Sequence, residues 1–203
     1  MNNKIWITWE KQRRTLELSK ALGVELFLLT SKREGMLRYI ESIWRTLIIL
    51  IMERPRCLIV QNPSMVLACF VCILKPLFRY KLVVDRHSNF LLGKSNYSLM
   101  DKIFLLMSDF SIKKADLTIV TNSNLKQRIE SIGGRGFILP DKLPEIQITG
   151  KGSKERSNIV TFICTYASDE PYLEVIEAAS LVDSSIKIYM TGNNKKVSHQ
   201  IFK

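Results

Sequence analysis

The 203-residue chain has four cysteines, two histidines and no apolar run long enough to cross a bilayer. Its most apolar stretches, residues 43–52 and 65–74, are each about ten residues long, whereas a membrane-spanning helix needs ~20. The first residues lack the long apolar core and the small-residue cleavage site of a signal peptide. These absences predict a cytoplasmic protein without a transmembrane helix.

The cysteines give little sign of metal or redox chemistry. All four lie in apolar runs, which predicts reduced thiols: Cys57, Cys69, Cys72 and Cys164. Only Cys69-x-x-Cys72 has a ligand-like spacing, and no second pair of cysteines or histidines lies near it. We therefore favour a buried helix face over a metal or redox site, and we predict no metal and no cofactor.

Common nucleotide and nucleic-acid motifs are absent as well. The chain has no Gly-x-Gly-x-x-Gly and no Walker sequence, so a nicotinamide or P-loop assignment lacks its motif. No nucleic-acid reader motif is recognisable either, although charge alone would permit nucleic-acid binding. We predict no nucleic-acid partner.

Positive charge is abundant and unevenly placed. Residues 1–156 hold 26 Lys and Arg against 14 Asp and Glu, while residues 157–203 hold 4 against 5. The formal net charge of the whole chain is +11. A basic first part suggests an anionic partner, such as a membrane surface or a phosphorylated substrate.

Short apolar segments alternate with helical patterns along the first 139 residues. The predicted strands are residues 4–9, 24–29, 57–60, 81–84, 117–120 and 137–139. Helices are predicted between them, at residues 12–22, 36–52, 64–75, 97–114 and 125–132. Continuous apolar strands separated by helices are typical of a parallel sheet covered on both faces. The pattern predicts an α/β, Rossmann-like, doubly wound domain.

The sequence changes character after residue 140. Residues 141–157 hold proline, glycine and scattered charges without an apolar period, which predicts a linker. A buried strand over 159–163, a helix from 168 to about 181 and a strand over 186–190 then form a single β-α-β unit. Such a unit has too little apolar surface to be stable alone. We therefore interpret residues 1–140 as a complete domain and residues 158–203 as the start of a second, incomplete one.

Polar residues follow several strands of the first predicted domain. In a parallel sheet these carboxyl ends share one edge, where ligands bind. The candidates are Glu10, Asn62, Asp85, Arg86, His87, Asn122 and Ser123. His87 could accept a proton or hydrogen-bond a hydroxyl, or it could be a loop histidine tied to a carbonyl. Asp85 could face a ligand or orient Arg86.

The first predicted helix begins with several cations. Lys11, Arg13 and Arg14 lie near its N-terminus, where the helix dipole disfavours positive charge. A substrate or lipid phosphate would compensate for this clustering. The alternative is a solvated basic face.

Two segments mix aromatic, aliphatic and basic residues. Residues 39–48 place Ile40, Trp44, Leu47 and Ile48 on one helix face with arginines beside it, and residues 74–81 are of similar composition. Such mixtures suit the interface of an anionic membrane. Ordinary core packing with arginines reaching out to solvent is the alternative.

Five segments together resemble the family-4-type glycosyltransferases of GT-B architecture, in which two Rossmann-like domains face each other across a cleft. They are Trp6-x-x-Trp9-Glu10-x-x-Arg13-Arg14-x-x-x-Leu18-x-x-x-Leu22-Gly23, the central Lys81-Leu82-Val83-Val84-Asp85-Arg86-His87-Ser88, Asp116-Leu117-Thr118-Ile119-Val120-Thr121-Asn122-Ser123, Thr161-Phe162-Ile163-x-x-x-Ala167-Ser168-Asp169-Glu170-Pro171, and Met190-Thr191-Gly192-Asn193.

The resemblance implies a division of roles between the two domains. The first would bind the acceptor, often a lipid-linked sugar phosphate at the cytoplasmic membrane face, with His87 as the acceptor-side histidine. The second would bind a nucleotide-sugar near Thr165, Gly192 and Asn193. The family commonly has an arginine and a lysine after the first strand of this second domain, whereas residues 164–170 contain no cation.

The resemblance therefore implies a peripheral membrane enzyme that transfers a sugar from a nucleotide-sugar during cell-envelope or capsule assembly. Because the family's second domain extends much further, turnover would require completion by a full donor domain, for example from a complementing subunit. A non-catalytic membrane-associated partner subunit and an inactive fragment are the alternatives.

Overall fold

The computed structural model describes residues 3–61, 64–87, 97–141, 158–166 and 170–192. The chain divides into two compact units, residues 1–144 and 145–203. The predicted bounds of 1–140, 141–157 and 158–203 remain a prediction, and residues 142–157 of the linker lie outside the described ranges.

The first unit is built on a six-stranded, wholly parallel sheet with the order β2-β1-β3-β4-β5-β6. Its strands are β1 (Lys4–Thr8), β2 (Glu25–Leu28), β3 (Cys57–Gln61), β4 (Lys81–Asp85), β5 (Leu117–Val120) and β6 (Gly136–Ile138). The predicted α/β, Rossmann-like fold class is confirmed. Because β1 lies between β2 and β3, the direction of winding reverses beside it, and such a switch point is where open α/β sheets bind ligands.

Five helices connect these strands. They are α1 (Arg13–Ala21), α2 (Gly35–Glu53), α3 (Met65–Phe78), α4 (Leu99–Lys114) and α5 (Ser123–Ser131). Side chains cap three of them: the Ser64 hydroxyl accepts from Leu67 N, Ser98 and Asp101 form a capping box, and Asn122 accepts from Leu125 N.

Helix α3 continues beyond its predicted end near Lys75. Pro76 lies inside its last turn, and the helix ends at Phe78 with Arg79 in the left-handed conformation. A proline this close to the C-terminus removes one hydrogen bond and does not terminate the helix.

Apolar side chains cover both faces of the sheet. On one face Ile5, Leu58 and Leu82 pack with residues of α2, α3 and α4. On the other, Trp6 and Ile59 pack against Leu18 of α1. The alternation of neighbouring strand residues between two cores explains why the strands have continuous apolar sequences.

Helix α2 has an unusual distribution of side chains. Small polar residues, Ser42 and Thr46, are buried beside Leu50. Large apolar residues on the outer side are exposed: Met36, Leu37, Ile40, Trp44, Ile48, Ile51 and Met52. This helix therefore presents an apolar stripe outward, defined by Leu37, Ile40, Trp44, Ile48 and Ile51.

The second unit has two parallel strands and one helix among its described residues: β7 (Ile159–Phe162), α6 (Tyr172–Ala179) and β8 (Lys187–Met190). The expectation of a buried first strand is wrong, because Ile159, Val160 and the following Ile163 are exposed. An apolar strand is buried only where another layer packs on it, and the described part of this unit supplies one helix.

Two further expectations can be compared with the structure. Cys72 is buried in α3 and Cys69 is half-buried, both as free thiols, and burial raises the pKa of Cys72 to about 12. The helix-face interpretation of this pair is thus supported.

Within the described ranges, no helix combines the length and apolar character that crossing a bilayer requires.

Candidate functional site at the carboxyl edge of the sheet

A buried polar row crosses the carboxyl ends of three adjacent strands. Thr8 ends β1, Gln61 ends β3 and Asp85 ends β4, and Gln61 and Asp85 are register partners. The Thr8 hydroxyl donates to Gln61 Oε1 at 2.6 Å, while Gln61 Nε2 is buried without a hydrogen-bond partner. Polar groups are therefore concentrated beside the switch point, where the fold favours a ligand.

Arg14 is the centre of an ion-pair network over this row. Its Nε donates to both oxygens of Asp85 at 3.1 and 3.2 Å, and its Nη1 lies 2.6 Å from Asp141 Oδ1. Its Nη2 donates to the Leu139 carbonyl at 2.9 Å. The side chains of Arg14 and Asp85 are only 7% and 0% exposed. Burial disfavours the charge, but the hydrogen bonds to Asp85 and Asp141 outweigh it and raise the pKa of Arg14.

This network bears on two expectations. Asp85 and Asp141 of the chain itself supply negative charge to Arg14, and a bound phosphate at this helix start stays a prediction. Asp85 pairs with Arg14 and not with Arg86, so the orienting role toward Arg86 is wrong. The reason is strand alternation: successive residues point to opposite faces of the sheet, and Asp85 faces α1 whereas Arg86 bonds Ser108 of α4.

His87 lies beside this network at the mouth of a cavity. The cavity has a volume of about 230 Å³ and is lined by Gln12, Arg13, Arg14, Glu17, Leu18, His87 and Asp141. His87 Nδ1 is buried without a hydrogen-bond partner and lies 3.7 Å from Asp85 Oδ2. That separation exceeds a hydrogen bond but is short enough for coulombic attraction to a protonated imidazole.

A second cavity opens near Glu10. Its volume is about 220 Å³, and it is lined by Glu10, Arg38, Tyr39, Ser64, Met65, Val66 and Phe104. The Arg38 guanidinium lies 3.7 Å from Glu10 and 5.2 Å from the centre of the Tyr39 ring. Carboxylate, guanidinium and aromatic groups together form a surface suited to a polyhydroxylated ligand.

Three other predicted site residues line neither cavity. Arg86 is buried, and its Nη2 donates to Ser108 at 3.0 Å. Burial and the nearby charge of Arg128 lower the pKa of Arg86 to about 10, against the opposing effect of Asp109. Asn122 caps α5 and Ser123 is exposed in its first turn. The structure thus gives Arg86 and Asn122 local structural roles.

In the second unit, a hydrogen bond connects the residues that follow β7 and β8. Cys164 N donates to Thr191 Oγ1 at 3.2 Å, and Thr165 N donates to Glu170 at 2.7 Å. Gly192 has a φ of +104° and lies so close to the Cys164 carbonyl that a side chain would clash with it. Thr165 and Gly192 thus lie at one edge of this small sheet.

Asn62 and Asn193 lie outside the described ranges. Sequence reasoning missed Asp141, which was assigned to the linker; Thr8 and Gln61 belong to the predicted polar strand ends but were not named as site residues. The signal for the last two was a polar residue at the end of an apolar strand. Nothing in the local sequence indicates the Asp141 contact, because its partner is 127 positions away.

Comparison with known proteins identifies structural relatives only. No protein-family model and no curated protein sequence matches the chain. The crystal structure of Anabaena Alr3699/HepE in complex with UDP matches with a TM-score of 0.63 at 9% identity, covering 97% of this chain and 64% of that one. HepE structures with UDP and glucose, and with UDP-glucose, match with TM-scores of 0.62 and 0.61, each at 11% identity, covering 92% of this chain and 60% of theirs.

The chain therefore spans about three-fifths of the length of these structures. At such low identity the likeness is one of fold. The chain has the fold of a protein whose crystal structures contain UDP and UDP-glucose.

Proposed function

We propose that the chain supplies the acceptor side of a glycosyltransferase of the GT-B, family-4-like type. The enzyme would transfer a sugar from a nucleotide-sugar to a lipid-linked or glycan acceptor in cell-envelope or capsule assembly. The observation that carries the proposal is His87, which lines a cavity at the carboxyl edge of a sheet whose fold is shared with a UDP-glucose-binding protein.

The chemistry assigned to these residues is limited and specific. An acceptor hydroxyl in the cavity attacks the anomeric carbon of the donor, the bond from that carbon to the diphosphate breaks, and the hydroxyl proton must leave. His87 accepts that proton or a hydrogen bond from the hydroxyl. Asp85 is too buried to touch substrate, and it acts by stabilising the positive charge on His87.

Binding of the donor is proposed for the second unit. Thr165 and Gly192 lie where the strands of a small parallel sheet end, and both residues are exposed. The HepE structures contain the donor type proposed, UDP-glucose. Residues beyond those of this chain would complete the donor site.

Peripheral attachment to the cytoplasmic face of an anionic membrane is part of the same proposal. The outward apolar stripe of α2 is bordered by Arg33, Arg38 and Arg45, whose side chains are substantially exposed. Arg33 and Arg45 share the carboxylate of Glu41, and Arg38 lies beside Glu10. Apolar residues that enter the lipid interface beside cations that bind its anionic headgroups favour this partner over another protein surface. A lipid-linked acceptor would then be presented close to the protein.

The test is release of nucleoside diphosphate from UDP-glucose and other nucleotide-sugars, with membrane extract as the acceptor. It compares this chain with a polypeptide extended to a full second domain. His87→Gln in the extended polypeptide is expected to lower kcat about 10²–10⁴-fold, the usual contribution of general acid–base catalysis. The matched control is His199→Gln, which replaces the second histidine of the chain.

Absence of any release from the extended polypeptide would refute the enzyme proposal. Equal activities of the two histidine variants would refute the role of His87 while leaving the proposed reaction class intact.

A non-catalytic partner subunit is the second candidate. It is favoured by the absence of cations in residues 164–170, next to the proposed diphosphate position. A stable complex with a separate donor-binding polypeptide, formed by a chain that binds no nucleotide-sugar itself, would support this candidate.

A further inference from the structure

A third cavity of the first unit lies at the opposite edge of the sheet from His87. It has a volume of about 620 Å³ and is formed where α3 and α4 end and where β4 begins. Its lining residues are Cys72, Ile73, Lys75, Pro76, Arg79, Tyr80, Lys81, Phe110, Lys114 and Asp116. The proposed transfer reaction uses none of them.

The cavity contains four cations and one carboxylate. Asp116 lies 2.7 Å from Lys75 Nζ and 3.7 Å from Lys81 Nζ, and it also accepts a hydrogen bond from Leu82 N. The one carboxylate that lines the cavity, that of Asp116, is thus already paired with two lysines. Arg79 and Lys114 make no side-chain hydrogen bond or ion pair with any described residue. Both are exposed and free to bind an anion.

One wall of the cavity is apolar and continues along a helix. Ile73, Tyr80 and Phe110 line it. Phe110 follows Leu106, Ile103 and Leu99 at helical spacing on α4, and these three side chains are exposed. An apolar track therefore leads from the cationic end of the cavity along the surface of α4.

We propose that this cavity binds a phosphate monoester carried on an apolar chain. Arg79 and Lys114 bind the phosphate through charge-assisted hydrogen bonds, while Ile73 and Phe110 contact the first part of the chain. The inference goes beyond the proposed transfer reaction, because the site needs neither a sugar donor nor an acceptor. The phosphate can come from a membrane lipid or from a soluble phosphorylated compound, and the experiment distinguishes these sources.

The experiment is isothermal titration of the full chain with four probes. They are dihexanoyl phosphatidic acid below its critical micelle concentration, dihexanoyl phosphatidylcholine, glycerol 3-phosphate and inorganic phosphate. We expect the tightest binding for phosphatidic acid, with the other three weaker by at least about tenfold. Glycerol 3-phosphate binding as tightly as phosphatidic acid would identify a soluble phosphate ester as the ligand and overturn the role of the apolar wall.

Two pairs of variants test the location. Lys114→Gln is expected to weaken phosphatidic acid binding about tenfold, whereas Lys113→Gln changes it less than twofold. Lys113 is the matched control because it is exposed in the same last turn of α4 and does not line the cavity. Ile73→Ser should weaken phosphatidic acid binding but not phosphate binding, and Leu77→Ser, on the same helix outside the cavity, should change neither.

Equal losses for Lys113→Gln and Lys114→Gln would show attraction by net charge alone and overturn the site. Equal binding of phosphatidylcholine and phosphatidic acid would overturn the phosphate assignment. Neither result depends on glycosyl transfer, so failure of this proposal is distinguishable from failure of the proposed function.

Discussion

At the scale of single residues, the buried guanidinium of Arg14 is the most consequential group in the first unit. It joins α1 to the end of β4 through Asp85 and to residues that follow β6 through Leu139 and Asp141. An ion pair with both members buried adds little net stability, but removing one member leaves an uncompensated buried charge. The pair lies directly beside His87, whose Nδ1 is 3.7 Å from Asp85 Oδ2.

Asp85→Asn is expected to lower the free energy of unfolding by about 3–5 kcal/mol, because Arg14 loses its buried counter-charge. Asp141→Asn removes a carboxylate from the same guanidinium, but Asp141 is 61% exposed and solvent screens its charge. Its expected cost is ~1 kcal/mol or less. Denaturant unfolding of both variants makes the comparison, and equal losses would contradict the special weight given to the buried pair.

The residue scale also shows where sequence reasoning fails. Cations at the start of α1 correctly indicated a need for negative charge, since the helix dipole and burial both disfavour Arg14. Sequence could not show that Asp85, 71 positions away, would supply it. The partner depends on which strand end lies over α1, and that is a property of the sheet order.

At the scale of elements, α2 is the informative helix. Thr46 on its buried side accepts a hydrogen bond from Trp9 Nε1 at 2.9 Å and donates one to the Ser42 carbonyl. The Thr46 hydroxyl thus forms hydrogen bonds on the inner face of α2, where a helix usually has only apolar contacts. The bond connects α2 to the end of β1, next to the polar row.

Thr46→Val should destabilise the protein by about 1–3 kcal/mol, because it keeps the side-chain shape but leaves the buried Trp9 N–H without an acceptor. Ser42→Ala is the control on the same buried side. Its backbone carbonyl remains available to Thr46, so a loss below about 1 kcal/mol is expected. Urea unfolding measures both, and a larger loss for Ser42→Ala would show that packing and not the Trp9 bond determines stability at this face.

The helical periodicity of α2 is visible in the sequence, but the sequence does not show which of its apolar residues are buried and which are exposed. Apolar residues at helical spacing indicate an apolar face, but helices packed on a sheet and helices lying on a membrane share that signature. The structure shows which residues of this helix are packed and which are exposed. Tyr39 and Ile43 pack against the core, whereas Ile40 and Trp44 face solvent.

At the scale of the whole molecule, positive charge and exposed apolar surface occur together in the first 156 residues. If the chain attaches to a membrane as proposed, its cations would attract it to an anionic surface over roughly a Debye length, and its apolar side chains would add an attraction that salt does not screen. Because salt screens only the contribution of the cations, binding measured at low and at high salt separates it from the contribution of the apolar side chains.

We expect cosedimentation with vesicles that contain phosphatidylserine, weaker at high salt, and little with pure phosphatidylcholine. Ile40→Ser should lower the partition coefficient by about tenfold, since one large apolar side chain no longer enters the interface. Leu22→Ser is the matched control, because Leu22 is 51% exposed and Ile40 59%, and Leu22 lies outside α2. Equal effects of the two substitutions would contradict the proposed role of the α2 stripe.

The sequence by itself determined most of the secondary structure and the fold class, because strand and helix periodicity are local and each of the first five apolar strands is followed by a helical pattern. It also determined which strand ends are polar. Only the tertiary structure decided the ion-pair partners of Arg14, the cationic cavity at the amino edge and the outward direction of Ile40 and Trp44. These features join residues far apart in the chain, and their free energies depend on burial and on distances that exist only after the sheet has formed.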